Sequence, residues 1–157
     1  MLSMKARYAL HALAYMARNR ERGALRIAEI AEQNGIPRKF LEAILVELRK
    51  DGLLSSKKGQ SGGYTLNTDP KLVPLGRVIR LVDGPIALAP CASPNGPERC
   101  AECVLQGTCR FRPVFRSVRE ETARILDDTM LSDIVPGNGS RTTGGNSKGV
   151  RRTKRRA

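Results

Sequence analysis

Residues 4 to 19, MKARYALHALAYMARN, place Tyr8, Leu10, Ala12, Leu13 and Met16 near helical spacing, and Ser3 is available to cap the first turn. A second apolar set, Ile27, Ile30 and Ala31, runs into Asn34-Gly35, a typical helix stop. Pro37 sits where proline is tolerated, in the first turn of a third helix with the apolar face Phe40, Leu41, Ile44, Leu45 and Leu48. KDG closes that helix at Gly52, and its opposite face opens with Arg38, Lys39 and Glu42. Two helices joined by QNGIP, the second with basic and hydrogen-bonding groups at its N-terminal end, describe a helix-turn-helix.

Directly behind it, residues 53 to 67, LLSSKKGQSGGYTLN, read as a short apolar run, a Lys/Gly/Ser-rich turn and a second short strand. A hairpin in this position is the wing of a winged helix. Lys57 and Lys58 at its tip are placed to meet phosphates, and Gly62 lets the backbone come close. The expected DNA-contact set is Arg38, Lys39, Glu42, Lys57, Lys58, Gln60, Ser61, Gly62 and Tyr64. Glu42 can accept from a cytosine amino group, whereas the wing lysines touch phosphate without reading bases.

PLGRVIRLV, residues 74 to 82, predicts a fourth short helix closed by DGP. From Arg112 to Asp127 the residues Val114, Phe115, Val118, Thr122, Ile125 and Leu126 recur at three- and four-residue steps, the stripe of a helix that packs on a partner. The fold class is therefore mainly α: a winged helix-turn-helix with a small β-hairpin wing and a long C-terminal dimerisation helix. Its expected parts are a DNA-binding domain at 1–84, a cysteine-rich loop at 85–110, the dimer helix with a short terminal helix at 111–135, and a disordered basic tail at 136–157. A homodimer supplies the two readers that a two-fold DNA site requires.

Charge sharpens the picture. The last 22 residues hold seven Lys/Arg and no acid, which leaves 21 basic against 15 acidic residues, or +6, on the other 135. Both parts are basic, as expected for a polyanionic partner, here double-stranded operator DNA. No apolar run is long enough to cross a bilayer and MLSMKARYAL lacks the features of a secretory signal, so a cytoplasmic location without membrane contact is expected. With one histidine, no phosphate-cradling loop leading into a helix and no carboxylate pair in a pocket-forming context, the chain is read as a non-enzyme without a small-molecule substrate. His11, among Ala and Leu in the first helix, is read as a packed or partly exposed side chain, not a metal ligand.

All four cysteines, Cys91, Cys100, Cys103 and Cys109, fall within CASPNGPERCAECVLQGTC. In a reducing compartment such a cluster is metal-binding or redox-active. Four thiolates suit an iron-sulfur cluster or a structural zinc, and a thiol or disulfide switch is a third reading. The loop is poor in apolar side chains, so metal binding and loop folding are coupled.

MKARYALHALAYMA, IAEIAEQNGIPRKFLEAILVELRKDGLLSSKKGQSGGYTL and PLGRVIRLVDGPIALAPC, followed by further cysteines and ILDDTMLSDI, resemble the bacterial winged-helix regulators that include IscR, NsrR and RirA. The resemblance spans roughly residues 1 to 135 and implies a homodimeric transcription factor, expected to repress. In that family loop cysteines hold an iron-sulfur cluster whose state changes DNA affinity in response to iron, redox state or nitric oxide. The chain departs from the usual three evenly spaced cysteines: gaps of eight, two and five residues separate its four, and no histidine follows Cys109. Cys100 and Cys103 thus compete for the middle position.

Overall fold

The computed structural model describes residues 2–59, 62–96 and 109–135. Among the described residues are five helices and one hairpin: α1 (Met4–Arg18), α2 (Ile27–Asn34), α3 (Arg38–Lys50), β1 (Leu54–Lys57), β2 (Gly63–Leu66), α4 (Leu75–Asp83) and α5 (Phe111–Asp128). Short 3-10 turns lie at Arg20–Arg22, Pro70–Leu72, Pro90–Ala92 and Leu131–Ile134. Among the described residues no helix is long and apolar enough to cross a membrane.

Ser3 caps α1 by accepting from the Ala6 amide at 3.1 Å, and Ala6, Ala9, Ala12, Leu13 and Met16 form the buried face. The small side chains let α2, α3 and α4 all pack against this one helix. Tyr8 and Leu10, read as members of that face, are only half-buried at its margin. Helix α2 ends where Gly35 adopts φ +61° and the Ile36 amide turns back to Ala31 O at 2.9 Å, a conformation that glycine enters without strain.

Pro37 proves to be the N-cap of α3, its carbonyl accepting from the Phe40 and Leu41 amides. Leu41, Ile44, Leu45 and Leu48 are fully buried, but Phe40 is 44% exposed. It stands edge-on against Tyr8 with ring centroids 5.7 Å apart, so it leans on the flank of α1 and not into the core.

The hairpin pairs Leu54 with Leu66, Ser55 with Thr65, Ser56 with Tyr64 and Lys57 with Gly63. A third segment joins it: Leu25 donates to Tyr64 O at 2.9 Å and accepts from the Tyr64 amide at 2.8 Å. Gly63 makes this possible, because a Cβ there would overlap the Leu25 carbonyl. The wing is thereby fastened to the chain that enters α2.

Helix α5 has no buried residue, yet the segment just behind it returns to the core. Leu75 donates to Thr129 O at 2.9 Å and Leu131 to Val73 O at 2.8 Å, while the Leu131 side chain is fully enclosed within the core formed by α1, α3 and α4. The expected short terminal helix is a 3-10 turn, Leu131–Ile134.

Candidate nucleic-acid interface and cysteine loop

Burial of Leu41, Ile44, Leu45 and Leu48 turns the other side of α3 outward, and Arg38, Lys39, Ala43, Arg49 and Lys50 are exposed there with Glu42 and Val46 half-buried. Arg38 Nε donates to Glu42 Oε1 at 3.2 Å, a pair one helical turn apart. Lys39 lies beside them. At the far end of α3, Arg49 donates to Ser56 Oγ at 3.1 Å, joining the helix to the wing, and Arg77 of α4 pairs with Asp51 at 2.6 Å.

Lys57 and Lys58 are exposed at the end of β1, and Gly62 donates to Gly59 O at 2.9 Å where the hairpin returns. A side chain at Gly62 would overlap the Lys57 carbonyl, so its role is to keep this turn tight. Gln60 and Ser61 lie outside the described residues. Tyr64 differs from the expectation for it: at 9% exposure it belongs to the core under the wing, because β2 turns alternate side chains inward and Tyr64 and Leu66 take those positions.

Side-chain contacts tie the helices around this face together. Tyr15 donates to Glu29 Oε1 at 2.8 Å, and Arg22 pairs with the same carboxylate at 2.7 Å. The Tyr15 hydrogen bond is the main influence holding the Glu29 carboxyl below its ordinary range, and burial raises the Tyr15 phenol. On the other side, Lys5 of α1 reaches Glu47 of α3 at 2.7 Å and the Val82 carbonyl of α4 at 3.4 Å.

Of the four cysteines, Cys91 is buried in the 3-10 turn Pro90–Ala92, which packs on α5. Cys109 is half-buried just ahead of α5, its carbonyl accepting from the Arg112 amide at 3.4 Å. The two therefore stand at either end of the loop. Cys100 and Cys103 lie outside the described residues, as does the basic tail, and no group of three metal-ligating side chains assembles among the described residues. His11 is exposed on α1.

The first turn of α5 contains Arg112 with Arg110 just before it and no acid, the reverse of what the helix dipole prefers. That electropositive end suits an anionic thiolate set such as a metal centre requires. Sequence reasoning passed over these arginines, and over Ala43, Val46, Arg49 and Lys50 on the outer face of α3; the signal was their spacing opposite the buried leucines.

Helix α5 leaves an apolar side uncovered: Phe111, Val114, Val118 and Ile125 are each more than 40% exposed, and the Phe111 and Phe115 rings stack at 6.2 Å. Alongside runs a groove of about 680 Å³ lined by Leu2, Ile79, Ile86, Leu88, Val118 and Leu126.

The family model for Rrf2, an iron-dependent transcriptional regulator, matches residues 2–137. The chain is 40% identical over 138 residues to a candidate rrf2-like HTH-type transcriptional regulator of Rhodobacter capsulatus, covering 86% of this chain and 92% of the relative. It is 33% identical over 134 residues to the HTH-type transcriptional regulator IscR of Klebsiella pneumoniae, covering 85% and 78%. Among solved structures it resembles CymR, the global cysteine regulator of B. subtilis, with a TM-score of 0.69, 28% identity and coverage of 85% and 94%. The IscR of T. potens superposes with a TM-score of 0.66 at 25% identity, covering 85% and 84%.

Proposed function

The chain belongs to the Rrf2 family of winged-helix transcriptional regulators, and from that membership we propose that it binds operator DNA as a homodimer under the control of an iron-sulfur cluster on its cysteine loop. The observation that carries the reading is the position of Cys91 and Cys109. One is buried in a turn that packs against α5 and the other precedes that helix, so a group bound by both ties the loop to the helix. The ligands are Cys91 and Cys109 with Cys100 and Cys103. A bound cluster supplies an iron centre whose oxidation, nitrosylation or loss changes how the loop is held.

The chain's own residues carry that change to DNA. Helix α5 joins α4 through Arg80 and Asp127, and α4 touches α3 through Arg77 and Asp51. Loop order thus biases the tilt of α5, and with it the separation of two recognition helices in a dimer, which is coupling between two distinct sites. The uncovered apolar stripe of α5 and the adjoining groove support a second copy as the helix's partner. Arg38, Lys39 and Glu42 meet base edges and nearby phosphates, and Lys57 and Lys58 meet the backbone.

The test is anaerobic purification, then visible absorption with iron, acid-labile sulfide and zinc analysis on one sample. Brown protein with matched iron and sulfide, bleached by air or nitric oxide and changing its operator affinity, is the expected result. Colourless protein with one zinc per chain assigns the cysteines to a structural site. Colourless, metal-free protein that resists reconstitution leaves a thiol switch and overturns the cluster.

A further inference from the structure

Arg38 engages Glu42 through Nε at 3.2 Å, a bond that uses neither terminal nitrogen of the guanidinium. Those two nitrogens form the fork that matches guanine O6 and N7 in the major groove. Glu42 accepts the Arg38 bond with Oε1, leaving Oε2 to accept from an amino group, and cytosine N4 supplies one. Further along the outward stripe, Ala43 and Val46 carry no polar side-chain atom, so base-edge hydrogen bonding by this part of α3 falls to Arg38 and Glu42.

We infer that Arg38 and Glu42 act as one reading unit, selecting a neighbouring guanine and cytosine in each half-site. The inference rests on the DNA-binding reading and adds the base identity and the residue pair that sets it. Charge argues in the same direction. A lone carboxylate approaching a phosphate-lined groove is repelled, whereas the Arg38 guanidinium offsets that repulsion and fixes the carboxylate in one rotamer. Lys39, a flexible point charge beside the pair, is suited to phosphate. Truncating either partner removes more than its own contact: without Glu42 the arginine loses its orientation, and without Arg38 the carboxylate faces the phosphates uncompensated.

The experiment uses the full chain, selected against a duplex library with a randomised core at low salt and sequenced, in metal-loaded and metal-free forms. The wild type is expected to enrich a guanine and a cytosine at fixed adjacent positions. Arg38→Ala and Glu42→Ala are each expected to relax those same positions and to weaken binding to the selected site roughly ten-fold. The double variant is expected to lose little beyond either single one. Lys39→Ala is expected to weaken all duplexes alike and leave the motif intact. Circular dichroism verifies folding of each variant. Variants that enrich the wild-type motif unchanged, or that relax separate positions, overturn the pair while DNA binding stands. A wild type that enriches no sequence in either form overturns sequence reading itself.

Discussion

Arg80 and Asp127 face each other across α4 and α5 in a two-point ion pair, each terminal nitrogen 2.7 Å from a different carboxylate oxygen. Parallel bonds of this kind fix direction as well as distance. Gly76 lies beneath the carboxylate, where a Cβ would overlap it, so α4 gives the pair room by omitting a side chain. Since α5 buries no residue of its own, this pair is its main polar attachment to the winged-helix body.

Asp127→Ala is expected to lower unfolding free energy in urea by about 1 kcal/mol, a figure held down because both side chains are about 40% exposed and partly screened. The hydrogen bond from Arg80 holds the Asp127 carboxyl below its ordinary range. A depressed folded value means the stabilisation is present above the ordinary carboxylate range and is lost as pH falls through the lowered value. The wild-type advantage over Asp127→Ala is therefore expected at neutral pH and should fade in acid; an advantage that grows on acidification contradicts the pairing.

Leu131→Ala is expected to cost roughly 3 kcal/mol, because it opens a cavity in the common core of α1, α3 and α4. Urea unfolding measures this directly. A loss below about 0.5 kcal/mol would place Leu131 at the surface.

Val118→Asp puts a charge on the uncovered stripe of α5, at a site already 42% exposed in the monomer. Monomer folding should survive. Light scattering is expected to report a single chain in place of two, with operator affinity reduced at least ten-fold through loss of the second reader. A variant that remains dimeric would move the interface elsewhere.

Lys57→Ala is expected to weaken every duplex equally and to lower the salt slope of binding by about one, the signature of one lost phosphate contact. Loss confined to one sequence would make Lys57 a base reader.

The helices were legible because each has a strong marker: Ser3 before α1, Asn34-Gly35 after α2, the spaced leucines of α3, DGP closing α4 and the stripe of α5. Leu25 was not, since a single bridging residue has no period to reveal it. Phe40 fitted the apolar face by spacing, yet a bulky ring at the helix start finds Tyr8 before it finds the core. Tyr64 illustrates the converse: it was placed in the contact set with the rest of the wing, while strand alternation turns it inward. For the cysteines, spacing marked a loop but could not show that Cys91 would be buried in a turn packed against α5.

Leu131 closes the core from the far side of the cysteine loop, which has a consequence for synthesis on the ribosome. Helix α3 and the hairpin emerge early, but Leu131 follows only after the whole cysteine loop and α5 have been made. A nascent chain halted inside that loop lacks its closing leucine and α5 together. A chain that ends there is expected to be less stable than the full-length protein, by at least the cost of the cavity the missing leucine leaves.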